Sequence, residues 1–73
     1  MTSYGVILFH TTSSAMRAEK LLIKEECQIK LIPTPREFSS DCGIAVRFDW
    51  GEYERVKSVL EAAEVEINTI CQM

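Results

Sequence analysis

Pro33-Thr34-Pro35-Arg36-Glu37-Phe38-Ser39-Ser40-Asp41-Cys42-Gly43 is the longest segment of the chain that reads as neither helix nor strand. It holds both prolines and one of the three cysteines. Patterned apolar segments flank it on both sides. Upstream, residues 28–32 alternate, with Ile29 and Leu31 on one face and Gln28 and Lys30 on the other. Pro33 ends that strand, because proline has no N–H to give a ladder. Downstream, residues 43–48 alternate again, with Ile44, Val46 and Phe48 inward and Ala45 and Arg47 outward. Two strands therefore meet at this loop with no helix between them.

Each of these strands has a helix beyond it. Thr11-Thr12-Ser13-Ser14 is a run of N-cap residues, and Thr12 or Ser13 is expected to cap a helix over residues 14–26. Ala15, Ala18, Leu21 and Leu22 form its apolar stripe, while Arg17, Glu19, Lys20 and Lys24 point away. Asp49-Trp50-Gly51-Glu52 has capping-box spacing, with Asp49 as cap and Glu52 reaching back. The helix it opens runs to Ala63 and buries Val56, Val59, Leu60 and Ala63. A first strand is expected over residues 4–10, where Val6-Ile7-Leu8-Phe9 is apolar on both faces, as in a central strand. A last strand is expected over residues 65–71, with Val65 and Ile67 inward and Glu66 and Asn68 outward.

The order is β-α-β-β-α-β within one domain, residues 1–73. Two interleaved right-handed β-α-β units give an α+β, ferredoxin-like fold: an antiparallel sheet of order 4-1-3-2 with both helices on one face. The other face is expected to be bare. Ala45 and Ile32 would lie there beside the first strand, an apolar strip suited to a homodimer. No repeat at fixed spacing is visible, although the halves share their element order.

Composition excludes several functions. The net charge is −3, with 11 acidic against 8 basic side chains, which argues against a nucleic-acid partner. Arg17, Lys20, Lys24 and Lys30 are interleaved with Glu19, Glu25 and Glu26, as on a solvated helix. The longest apolar run, Val6 to Phe9, is too short for a membrane span, and no signal-peptide pattern opens the chain. A cytoplasmic location is the expectation. Three cysteines make no disulfide framework there. With one histidine and no Cys-x-x-Cys, no metal site is expected, and no cofactor motif appears.

In the expected topology the loop lies at the end of the sheet where the first strand hands over to the first helix. Cys42, His10 and Thr12 share that end. A helix N-terminus favours a thiolate, and Arg36 adds positive charge. Thr12, Thr34, Ser39 and Ser40 offer hydroxyl donors. Cys42 thus reads as a reactive thiol, or else as a small buried residue closing the loop onto the third strand. His10 reads as a solvated strand-end residue or as a proton partner for the thiol. Arg36 and Glu37 also read as a solvated ion pair. Trp50 reads as an aromatic packing at a helix start. Cys27 and Cys71 read as structural. A protease-type nucleophile is rejected, because no orienting third group or oxyanion hole can be named.

Three stretches carry a family resemblance. They are Phe9-His10-Thr11-Thr12, then Ala15-Met16-Arg17-Ala18-Glu19-Lys20-Leu21-Leu22, then Leu31 through Phe48. Together they resemble the small bacterial family of selenium/sulfur carrier-like proteins. The Pro33-x-Pro35-Arg36 loop leading into Ser39-Ser40-x-Cys42-Gly43 matches its hallmark in full. The resemblance implies a carrier thiol at Cys42, holding a persulfide or selenopersulfide. Arg36, Ser39, Ser40 and Gly43 carry over as motif residues. The implied partners are a cysteine desulfurase-like donor and a selenium or sulfur acceptor protein, with no turnover chemistry. Better-known sulfur carriers place Cys-Pro-x-Pro at a helix start; here the prolines precede the cysteine. The alternative is a small-ligand or protein-interaction module in which Cys42 only packs.

Overall fold

The computed structural model describes residues 3–38 and 43–72. Along them run β1 (Tyr4–Leu8), α1 (Thr12–Lys24), β2 (Ile29–Pro33), β3 (Ile44–Asp49), a 3-10 turn (Trp50–Glu52), α2 (Tyr53–Ala62) and β4 (Thr69–Gln72). The four strands make one antiparallel sheet in the order β2-β3-β1-β4, which is the expected order read from the other edge. Among the described residues, no helix is long and apolar enough to cross a membrane.

The alternation in β1 explains its central place. Ile7 and Phe9 belong to the larger core, with Ala15, Ala18 and Leu22 of α1 and Val56 and Leu60 of α2. Both helices therefore cover the same sheet face. Val6 and Leu8 face the other way and pack with Ala45. The four consecutive side chains from Val6 to Phe9, the last just past β1, are at most 2% exposed. Burying each stabilises the fold by about 1.5–3 kcal/mol, so β1 is held from both sides.

The second face is not bare. Ile32, Cys71 and Phe38, the last from the loop, pack against Val6, Leu8 and Ala45. Of the apolar strip expected to lie open, Ala45 is buried within the chain and Ile32 is half-buried. The N-terminus of α1 also differs from expectation. Thr11, one residue earlier, is the cap, and its Oγ1 accepts the Ser14 N–H at 3.1 Å. At α2 the capping box does not form. Asp49 Oδ1 accepts the Gly51 N–H at 3.0 Å, and a 3-10 turn carries Glu52 away from the cap. The last strand is shorter than expected. Asn68 donates to the Leu8 carbonyl at 2.8 Å, and ladder pairing with β1 covers Thr69 to Gln72.

The two helices end alike. Glu26 (φ 61°) and Glu64 (φ 56°) take the left-handed conformation that glycine usually fills. The Cys27 N–H returns to the Leu22 carbonyl and the Val65 N–H to the Leu60 carbonyl, each closing a Schellman motif. An arginine crosses to each end. Arg17 of α1 donates to the Ala63 carbonyl at 3.0 Å, and Arg55 of α2 donates to the Glu25 carbonyl. Arg17, Leu22, Glu25, Glu26 and Cys27 have the same mutual spacing as Arg55, Leu60, Ala63, Glu64 and Val65. The halves thus share a spaced pattern that composition alone hides.

Candidate functional site

The loop stands on a fixed stem. The β2–β3 ladder runs to Pro33 opposite Ile44, and one further bond, Thr34 N–H to the Gly43 carbonyl at 3.0 Å, closes it. Beyond the stem, the Phe38 N–H donates to the Pro35 carbonyl at 3.1 Å. That bond makes a turn with Arg36 and Glu37 exposed at its corner. Phe38 then folds back onto Val6, Leu8 and Ala45. Ladder, turn and aromatic contact hold this half of the loop against the sheet face that the helices do not cover.

The other side of the stem meets the end of β1. The β1–β3 register ends with Leu8 opposite Ala45. Continued along both chains, it runs His10 and Gly43 off the same end of the sheet. His10 is exposed there, and α1 begins two residues later. Of the predicted site residues, His10, Thr12 and Gly43 share this end, while Arg36 sits at the turn beside Phe38. Ser39, Ser40 and Cys42 lie outside the described residues. Cys42 is the chain neighbour of Gly43.

The family model described as "Putative Se/S carrier protein-like" matches residues 4–72. The chain belongs to that family. A protein of Methanocaldococcus jannaschii, named uncharacterized protein MJ0011, is 32% identical over 62 residues, covering 85% of this chain. The chain spans only 31% of the length of that curated relative. No solved structure matches it.

The described cysteines of this Se/S carrier-like chain differ in chemistry. Cys27 is buried in the main core at the end of α1. Burial pushes its thiol above the usual range. A hydrogen bond to the Glu52 carboxylate and that group's charge add to the effect, and Arg55 opposes it. A thiol so placed stays neutral and is a poor nucleophile. Cys71 is half-buried in β4 opposite Val6, on the Phe38 side of the sheet. Among the described residues, no group of His, Cys, Asp and Glu is arranged to hold a metal ion.

Two features of this carrier-like chain escaped sequence reading. One is Phe38, whose signal was available: it is the one aromatic in a polar loop. The other is the facing of Cys27 and Glu52. Glu52 Oε2 is buried and has no hydrogen-bond partner among the described residues. The two lie far apart in the chain, and no local pattern links them.

Proposed function

We propose that this chain is a sulfur or selenium carrier whose working thiol is Cys42. The observation that carries the reading is membership, over residues 4–72, of a family described as carrier-like. Geometry supports it. The stem fixes Gly43, the neighbour of Cys42, at the sheet end beside exposed His10 and the start of α1. Burial and a facing carboxylate disfavour Cys27 as the carrier.

In the proposed step, the Cys42 thiolate attacks the terminal sulfur of a persulfide on a donor protein. A new S–S bond forms at Cys42, the donor's S–S bond breaks, and the donor leaves as a thiolate. No net oxidant is needed. A selenium donor reacts in the same way. Arg36, Ser39 and Ser40 supply donors to the resulting anion, and His10 exchanges its proton. A cysteine desulfurase-type enzyme is the donor class, and an acceptor of sulfur or selenium takes the cargo by the reverse attack. The chain then serves as a single ferredoxin-like domain in the cytoplasm that carries a group and does not turn over substrate.

The test is loading. Purified protein is incubated with a cysteine desulfurase and cysteine, then examined by intact mass. Added sulfur on wild type, lost in Cys42→Ser and kept in Cys27→Ser and Cys71→Ser, supports the reading. A second reading, an interaction module in which the loop is structural, is favoured by the Phe38 contact with the sheet. It predicts a Cys42→Ser protein that binds its partner like wild type and a wild type that takes up no sulfur.

A further inference from the structure

On the sheet face away from the helices, Lys30 of β2 and Arg47 of β3 stand directly opposite each other. Like charges in that position repel and weaken a strand pair. Among the described residues, neither side chain forms an ion pair, in a protein whose net charge is −3. Arg47 instead rests over the Tyr4 ring, 4.6 Å from its centroid. A cavity of about 380 Å³ opens beside them, lined by Tyr4, Gln28, Lys30, Arg47 and Asp49 together with Ile29 and Phe48.

The geometry points to an oxyanion-binding site in this cavity, for a small molecule carrying a single carboxylate or phosphate group. Arg47 supplies a planar fork of N–H donors, steadied by the tyrosine ring, and Lys30 a compact charge. Tyr4 and Gln28, both in the lining, carry neutral donors, a hydroxyl and an amide. An anion between the two cations converts their repulsion into attraction to a shared partner. Asp49 limits what fits. Its Oδ1 is engaged by the Gly51 N–H, and its charge on the wall disfavours an extended polyanion such as a nucleic-acid backbone. The site uses none of the residues proposed for chalcogen transfer.

The experiment titrates ¹⁵N-labelled full-length protein separately with inorganic phosphate and with acetate, chloride holding the ionic strength constant. Saturable amide shifts at Tyr4, Lys30 and Arg47 are expected with one probe or both, and the tighter probe names the ligand class. The Lys30→Gln/Arg47→Gln variant is expected to bind at least tenfold more weakly. Without anion, Lys30→Gln alone is expected to melt at or above wild type, because the repulsion is relieved. Shifts that chloride reproduces, a double variant that binds like wild type, or a lower melting point for Lys30→Gln would each overturn the proposal.

Discussion

Gly5 is the position at which a single methyl group should do most damage. It lies in the central strand, paired with Phe48 on β3 and Gln72 on β4. A Cβ there would stand 2.4 and 2.6 Å from two Phe48 ring atoms and 2.8 Å from Trp50. These rings have little room to move. Phe48 is 1% exposed and stacks on Trp50 at 5.9 Å, and Trp50 meets Tyr53 at 4.8 Å. Forcing a methyl into such packing costs about 2–3 kcal/mol. A domain of this length has roughly 4–11 kcal/mol in total. Gly5→Ala should therefore lower the melting temperature by roughly 10–20 °C. Urea and thermal unfolding followed by circular dichroism measure the effect. Phe48→Leu introduced beside Gly5→Ala should recover at least about 1 kcal/mol of the loss, a coupling expected of touching residues. A Gly5→Ala protein within about 0.5 kcal/mol of wild type, the size of an ordinary surface change, would refute this account of the core.

Three further outcomes follow from the geometry. Arg17→Ala and Arg55→Ala should each cost about 1 kcal/mol, since each removes a charged donor from a helix C-terminus. Their effects should add in the double variant, which urea melts will read. Phe38→Ala should cost about 1–2 kcal/mol by uncovering part of the second apolar cluster, with the sheet amide signals otherwise kept. Burial holds the Cys27 thiol above its ordinary value of 9.0. The unfolded chain therefore ionises first. The associated stability is complete below about pH 9 and is lost as pH rises through the folded value. Cys27→Ser should flatten that alkaline fall in a pH series of urea midpoints, and folded Cys27 should resist alkylation at pH 7.

The element order and the inward faces of β2, β3 and both helices were legible because period-two and period-3.6 patterns are local properties. The sheet order followed from chain connectivity. Helix ends were harder to read. Thr11 to Ser14 are four cap-competent residues in a row, so residue preference alone could not choose Thr11. Glu26 and Glu64 turn left-handed without glycine, and nothing in their identity announces it. The capping box at Asp49 failed because a 3-10 turn intervenes, after which Glu52 faces Cys27. At the candidate site, the motif residues were legible as a resemblance and the stem as two strands meeting at the loop, but Pro33, expected to end β2, is itself paired with Ile44, and Thr34 adds one more bond. That Phe38 folds back over β1 depends on contacts distant in sequence, which alternation cannot report. The like-charged pair Lys30 and Arg47 needed the strand register.

Carriage by one particular thiol is tested most directly by intact mass after incubation with a cysteine desulfurase and cysteine. Wild type, Cys27→Ser and Cys71→Ser should each gain the mass of sulfur, and Cys42→Ser should gain none. Sulfur on Cys42→Ser equal to that on wild type would contradict the assignment of the carrier thiol. Wild type that gains none, from this donor or from a selenium donor, would contradict carriage itself.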